Sequence, residues 1–220
     1  MQIYQIFTRL FGNQNMTRMP HGTMEENGVG KMNDITTTVL NRIHDMGFTH
    51  VWFTGIVRHA TTTDYSTYGI PRQHPVIVKG KAGSPYAITD YYDVDPDLAW
   101  QVSKRMDEFD ALVKRTHEAG MKVIVDFVPN HVARQYHSIC KPQGVRDLGE
   151  NDDVNRHFDI HNNFYYCPGY PFEPAIDLCK DASEPYREYP AKCTGNDCFN
   201  ASPSANDWYE TVKLNYGIDY

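Results

Sequence analysis

Met121-Lys122-Val123-Ile124-Val125-Asp126-Phe127-Val128-Pro129-Asn130-His131 is the stretch whose reading decides the fold. It follows directly on Gly120. Three consecutive apolar residues, Val123, Ile124 and Val125, predict a strand buried on both faces, as in a parallel sheet covered by helices. Asp126 interrupts that run, and a carboxylate inside a buried strand must be hydrogen-bonded or paired with a cation. Pro129 has no N–H to donate and ends the ladder. Asn130 and His131 therefore emerge at the C-terminal end of the strand, where parallel α/β folds build their sites. On spacing alone, the same Asp, Asn and His also read as satisfied polar groups around a turn.

Working back from this strand, Met106, Phe109, Leu112 and Val113 mark the apolar face of a helix that Gly120 stops. His50-Val51-Trp52-Phe53-Thr54-Gly55-Ile56 reads as a strand. Ahead of it, Ile35, Val39, Leu40, Ile43 and Met46 recur at helical spacing, with Asp34 at the expected N-cap and Gly47 at the stop. Residues 2–8 read as a first strand. Strands and helices thus alternate up to His131, as at the start of a doubly wound sheet or a (β/α)8 barrel. The connection from Gly12 to Asn33 is long enough to line a site, and residues 57–100 form another long connection. From His131 to about Ala205 the periodicity is lost among Pro, Gly, Asn, Cys and aromatic residues. That region reads as an irregular inserted subdomain. Val212-Lys213-Leu214-Asn215-Tyr216 is a short β-like piece beyond it.

The 220 residues fit one domain or one and a half, and 40% hydrophobic with 22% charged residues is ordinary for a globular chain. A formal net charge of -7 argues against a nucleic-acid backbone or an anionic membrane as main partner. No apolar run is long enough to span a bilayer, and no signal peptide precedes the first strand. A cytoplasmic setting is expected if Met1 is the native start. The five cysteines, Cys140, Cys167, Cys179, Cys193 and Cys198, match no zinc spacing and read as free thiols, with a Cys193–Cys198 disulfide the alternative.

Four segments, in order, resemble the α-amylase family of glycoside hydrolases (glycoside hydrolase family 13). Ile3-Tyr4-Gln5-Ile6-Phe7 is similar to its first barrel strand, and Gly47 to Ile56 to its second. Tyr86-Ala87-Ile88-Thr89-Asp90-Tyr91-Tyr92-Asp93-Val94-Asp95 resembles its tyrosine-bearing segment. Asp126-Phe127-Val128-Pro129-Asn130-His131 resembles its third-strand motif. The resemblance implies an α/β fold: the N-terminal portion, about three βα units, of a (β/α)8 TIM barrel, with an irregular subdomain inserted after strand 3. The corresponding boundaries are 1–131 for the barrel portion, 132–205 for the inserted domain, and 206–220 for a return segment that stops before strand 4.

The same resemblance implies roles. Asp126 is a supporting active-site carboxylate that pairs with an arginine on the fourth strand. His131 donates a hydrogen bond to the sugar at the cleavage subsite, and Tyr86 stacks on that sugar's ring. Asn130 stands where many members coordinate a structural Ca2+, with Asp197 and Asp207 as candidate further ligands. The substrate implied is an α-glucan or maltooligosaccharide. In the first loop the run is Glu25-Glu26-Asn27-Gly28-Val29-Gly30-Lys31, with a lysine where relatives place a metal-closing carboxylate. No metal is expected there, and Lys31 is expected to pair with Glu25 or Glu26. Phe164-Tyr165-Tyr166 and Tyr170 either wall a glucan cleft or form the subdomain's own core.

The family's nucleophile and acid/base lie on the fourth and fifth strands, so neither is expected in this chain. Adjacent Asp107 and Glu108 point different ways on a helix and cannot replace them. The competing reading is a non-catalytic carbohydrate-binding or structural protein built from a truncated barrel. In that case Asp126 needs a cation from within these residues. A third reading, a metal-dependent hydrolase using Asp126 and His131, lacks further ligands at the first two strand ends.

Overall fold

A computed structural model describes residues 1–179 and 181–219. In chain order the elements are β1 (Ile3–Phe7), α1 (Met24–Asn27), α2 (Thr37–Asp45), β2 (His50–Thr54), β3 (Val57–His59) and β4 (Ile88–Val94). Then come α3 (Arg105–Glu118), β5 (Lys122–Val125), β6 (His131–Ala133), β7 (Tyr166–Cys167), β8 (Ala191–Lys192) and β9 (Thr211–Lys213). Strands β1, β2 and β5 form one parallel sheet in that order. The register sets Gln5 beside Trp52 and Trp52 beside Ile124, one residue out of phase with Ile6, Phe53 and Val125. Side chains alternate across a strand, so these two rows lie on opposite faces. Ile6, Val51 and Phe53 belong to the main core with Leu40 and Ile43 of α2 and Leu112 of α3.

The opposite face carries Gln5, Trp52 and Ile124 and is only partly covered. The expectation that Val123 to Val125 is buried on both faces is corrected here. Val123 and Ile124 are half-buried, and Val125 is 40% exposed. Among the described residues no strand pairs with the outer edge of β1 or of β5, and the sheet does not close into a barrel.

Local chemistry sets the helix ends differently from the sequence reading. The N-cap of α2 is Thr36, whose hydroxyl accepts from the Val39 N–H at 3.4 Å. Asp34 instead closes the preceding tight turn by accepting from the Lys31 N–H at 2.8 Å. On α3, Met106 faces solvent, whereas Glu108 is buried. The Glu108 carboxylate accepts from the backbone N–H groups of Trp100 and Gln101 and from Asn33, at 2.7–2.9 Å, which offsets its desolvation.

The long connection 57–100 contains an antiparallel pair, β3 with β4, that sequence periodicity did not reveal. Arg58 is fully buried between Asp90 and Asp93, and Arg105 adds a second cation on Asp93.

The irregular region leaves and rejoins through a second ribbon, β6 against β9, with His131 directly opposite Lys213. Behind it, Val132, Phe164, Tyr166, Val212 and Leu214 make one small cluster. Val76, Ile77, Tyr165, Phe172, Tyr186 and Cys193 belong to another. Phe164, Tyr165 and Tyr166 are therefore core residues, each 5% exposed or less, and only Tyr170 projects outward, at 66%. Buried Arg134 staples this region, donating to Glu188 and to the carbonyls of Tyr209 and Thr211. All five cysteines are free, and Cys193 Sγ lies 3.8 Å from Cys167 Sγ. No helix of the described residues is long and apolar enough to cross a membrane.

Phe53 is fully buried at the centre of the helix-covered face. Phe53→Ala is expected to lower the unfolding free energy by about 3–5 kcal/mol, read from urea denaturation. A loss under about 1 kcal/mol would contradict this packing.

Candidate functional site

The site grows out of the β2–β5 register. Asp126 lies two residues beyond Ile124, which sits beside Trp52, so indole and carboxylate are diagonal neighbours on one face. Trp52 Nε1 donates to Asp126 Oδ1 at 2.9 Å, and the Gly55 N–H donates to Oδ2 at 3.1 Å. Gly55 has φ +73°, and a Cβ there would meet the Pro85 Cβ at 3.0 Å and the Phe7 ring at 3.2 Å. Only glycine turns its N–H onto the carboxylate at that place. Asp126 is half-buried, and among the described residues it forms no ion pair.

Tyr86 stands beside it. Burial first, and the Asp126 charge second, push its phenol above the ordinary value. The residue is 39% exposed. His131 is the enclosed partner, 8% exposed, and its ring lies 5.2 Å from that of Trp208. Asn130 Nδ2 donates to His131 Nδ1 at 3.0 Å, and the ring also bonds the backbone of Tyr86. Asp126, Tyr86 and His131, chosen from sequence, thus converge at the C-terminal end of the sheet.

Asn130 is used differently from the sequence expectation. Its Oδ1 accepts from Lys213 Nζ at 2.7 Å, and its Nδ2 donates to the Gly195 carbonyl at 2.7 Å. Of the two candidate further ligands, Asp197 takes the same ammonium at 2.7 Å. Asp207 caps a turn, accepting from Asn196 and from the Ser204 N–H.

In the first loop, Lys31 does not reach Glu25 or Glu26. Its Nζ donates to the Asp97 carbonyl at 2.5 Å, while Glu26 caps α1 by accepting from the Thr23 N–H. Asp90, Asp93 and Cys140 also bring candidate ligand atoms within 4.8 Å of one another, but Arg58 and Arg105 already neutralise these carboxylates.

Sequence reasoning missed Trp52, Gly55, Trp208 and Lys213. For Trp52 a signal existed: two parallel strands in register place a donor two residues short of the buried acid. Lys213 could not be found that way, because its partners are 83 and 16 residues distant in the chain.

A helix-backed parallel sheet with an aromatic, a carboxylate and a histidine at its C-terminal edge defines an α/β protein whose site lies at the strand ends. This chain belongs to the α-amylase catalytic-domain family: residues 5–163 match the family described as "Alpha amylase, catalytic domain". Maltase 1 of Drosophila virilis is 28% identical over 149 residues, which is 68% of this chain and 18% of the maltase. The amino acid transporter heavy chain SLC3A1 of Rattus norvegicus is 35% identical over 51 residues, 23% of this chain and 7% of that protein. Among solved structures, an α-amylase from Lactobacillus plantarum aligns at 30% identity and a TM-score of 0.42, over 63% of this chain and 24% of the other. The chain therefore spans less than a fifth of the length of the curated maltase it matches.

Burial first, then the nearby Lys213 charge, hold the His131 pKa below its usual 6.5, against the raising effect of its bond to the Tyr86 backbone. Because the folded value is the lower one, the fold's preference for neutral His131 is fully present above pH 6.5 and is lost as pH falls below it. An NMR titration of the His131 ring should give a midpoint under 6.5; a midpoint at or above 6.5 would show that the ring is solvated.

Proposed function

We propose that this chain is the N-terminal part of an α-glucan-acting glycoside hydrolase that cleaves by retaining double displacement. Residues 1–131 supply the first units of a (β/α)8 barrel, 132–205 an inserted domain, and 206–220 the return toward a fourth strand. The observation that carries this reading is Asp126. It is half-buried, aimed from a strand end, held by an indole and a backbone N–H, and matched by no cation among the described residues. Such a group fits half of an ion pair whose arginine stands on a further strand. The short coverage of the maltase supports the same view.

In this reading the chain binds and orients the sugar. Its apolar C–H face lies on the Tyr86 ring, and its hydroxyls meet His131 at the rim. Asp126 supports the charge of the reacting centre. A retaining reaction needs a nucleophile and an acid/base about 5–5.5 Å apart. We assign neither role to a residue of this chain, and the 220 residues alone are inactive. The second reading is a non-catalytic carbohydrate-binding or structural protein. It draws on the similarity to a transporter heavy chain.

The test is the intact mass of the native gene product, followed by maltooligosaccharide hydrolysis. A product longer than this chain, active, and reduced roughly 10²-fold in kcat by Asp126→Asn is the expected result. Tyr86→Ala should lower kcat/KM by about tenfold. A native product ending at Tyr220, soluble and inactive, overturns the enzyme reading and makes glucan binding the property to measure.

A further inference from the structure

Family resemblance places a Ca2+ ligand at Asn130, and the residues present do not fit that ion. Calcium takes six to eight oxygens at about 2.3–2.6 Å. Here Asn130 Oδ1 and Asp197 Oδ1 both face one ammonium, Lys213 Nζ, at 2.7 Å, a hydrogen-bond distance. The lysine side chain is 10% exposed, so its stem is enclosed and its head is fixed. The rest of the junction is committed as well. Asn130 Nδ2 is used by the Gly195 carbonyl, and a Cβ on Gly195 would come within 2.5 Å of Thr211 Oγ1 and 2.7 Å of the His131 Cβ. A divalent ion between the same two oxygens would have to displace a like charge.

We propose that the Lys213 ammonium is the resident cation of this junction, joining Asn130 at the end of the sheet to Asp197 in the inserted region and making the joint independent of calcium. An ammonium offers three donors and no acceptor, so it can bridge an amide oxygen and a carboxylate as a metal does, with a single charge that Asp197 balances. Asp197 lies on the solvent side of the pair, its side chain 59% exposed. The holding interaction is therefore the enclosed one between Lys213 and Asn130.

The experiment uses the native gene product and compares melting in EDTA with melting in millimolar CaCl2. The wild type should melt within about 1 °C in the two, and Lys213→Met should lower Tm by about 5 °C through the stranded Asn130 oxygen. Lys213→Gln, which keeps a donor and loses the charge, gives the comparison if the methionine variant does not fold; its Tm should also fall. Calcium that raises the wild-type Tm by about 3 °C or more, with the rise lost in Asp197→Ala, overturns the proposal. So does a Lys213 variant that melts with the wild type. A calcium effect that survives Asp197→Ala lies at another site, and the Lys213 comparison then decides.

Discussion

The register between β2 and β5 is the constraint on which the rest depends. Trp52 lies beside Ile124, and Phe53 beside Val125. A slip of one residue would exchange the two faces of β5. Asp126 would then turn toward the layer of Leu40, Ile43 and Leu112, where no donor waits for it, and its desolvation would go uncompensated. Met121 and Val123, which pack into the same core just ahead of Asp126, oppose the slip, because it would carry both out of that core. Packing on one face thus fixes polar geometry on the other. The indole of Trp52 reaches the carboxylate only because the helices hold the strand in phase.

The site's electrostatics follow from how each polar group is compensated. Asp126 receives two neutral donors. Enclosure first, and then a fixed cation across the ribbon, push the His131 pKa down. Lys213 spends its charge on Asp197 and Asn130. Neutral donors leave a carboxylate's charge unbalanced, which suits a group that supports positive charge brought to it. The Arg58–Asp90–Asp93–Arg105 cluster is the opposite case. There each acid faces guanidinium, and the arrangement holds β3, β4 and α3 together.

Much of this was legible in the chain itself. The order of β1, α2, β2, α3 and β5, and the place of Asp126 and His131 beyond a strand end, follow from apolar period and from where polar residues interrupt it, whereas Tyr86 came only from the family resemblance. What failed did so for identifiable reasons. An apolar run such as Val123 to Val125 looks the same at the edge of a sheet as at its centre, so the exposure of Val125 is not legible from it. Asp34 reads as a cap by residue type, but its carboxylate is taken by the Lys31 N–H and Thr36 caps α2 instead. Glu108 lies off the apolar stripe read for α3, and only the fold brings the backbone N–H groups of Trp100 and Gln101 onto its carboxylate. The β3–β4 pair and the Asn130–Lys213 contact rest on residues far apart in sequence, where periodicity carries no information.

That last contact bears on how the irregular region between β6 and β9 is held. Closing a chain segment of 83 residues costs roughly 4 kcal/mol of entropy, before any constant for the closure itself. The closure is made by three cross-strand residue pairs of β6 and β9, and the Lys213 bridge sits at its mouth. The mouth is also where His131 must be held, since the first of those pairs is His131 with Lys213. A metal there would tie the positioning of His131 to the supply of an ion. A lysine carried on the return strand arrives with the closure itself. Joining the two halves and ordering His131 then become a single folding event of the chain.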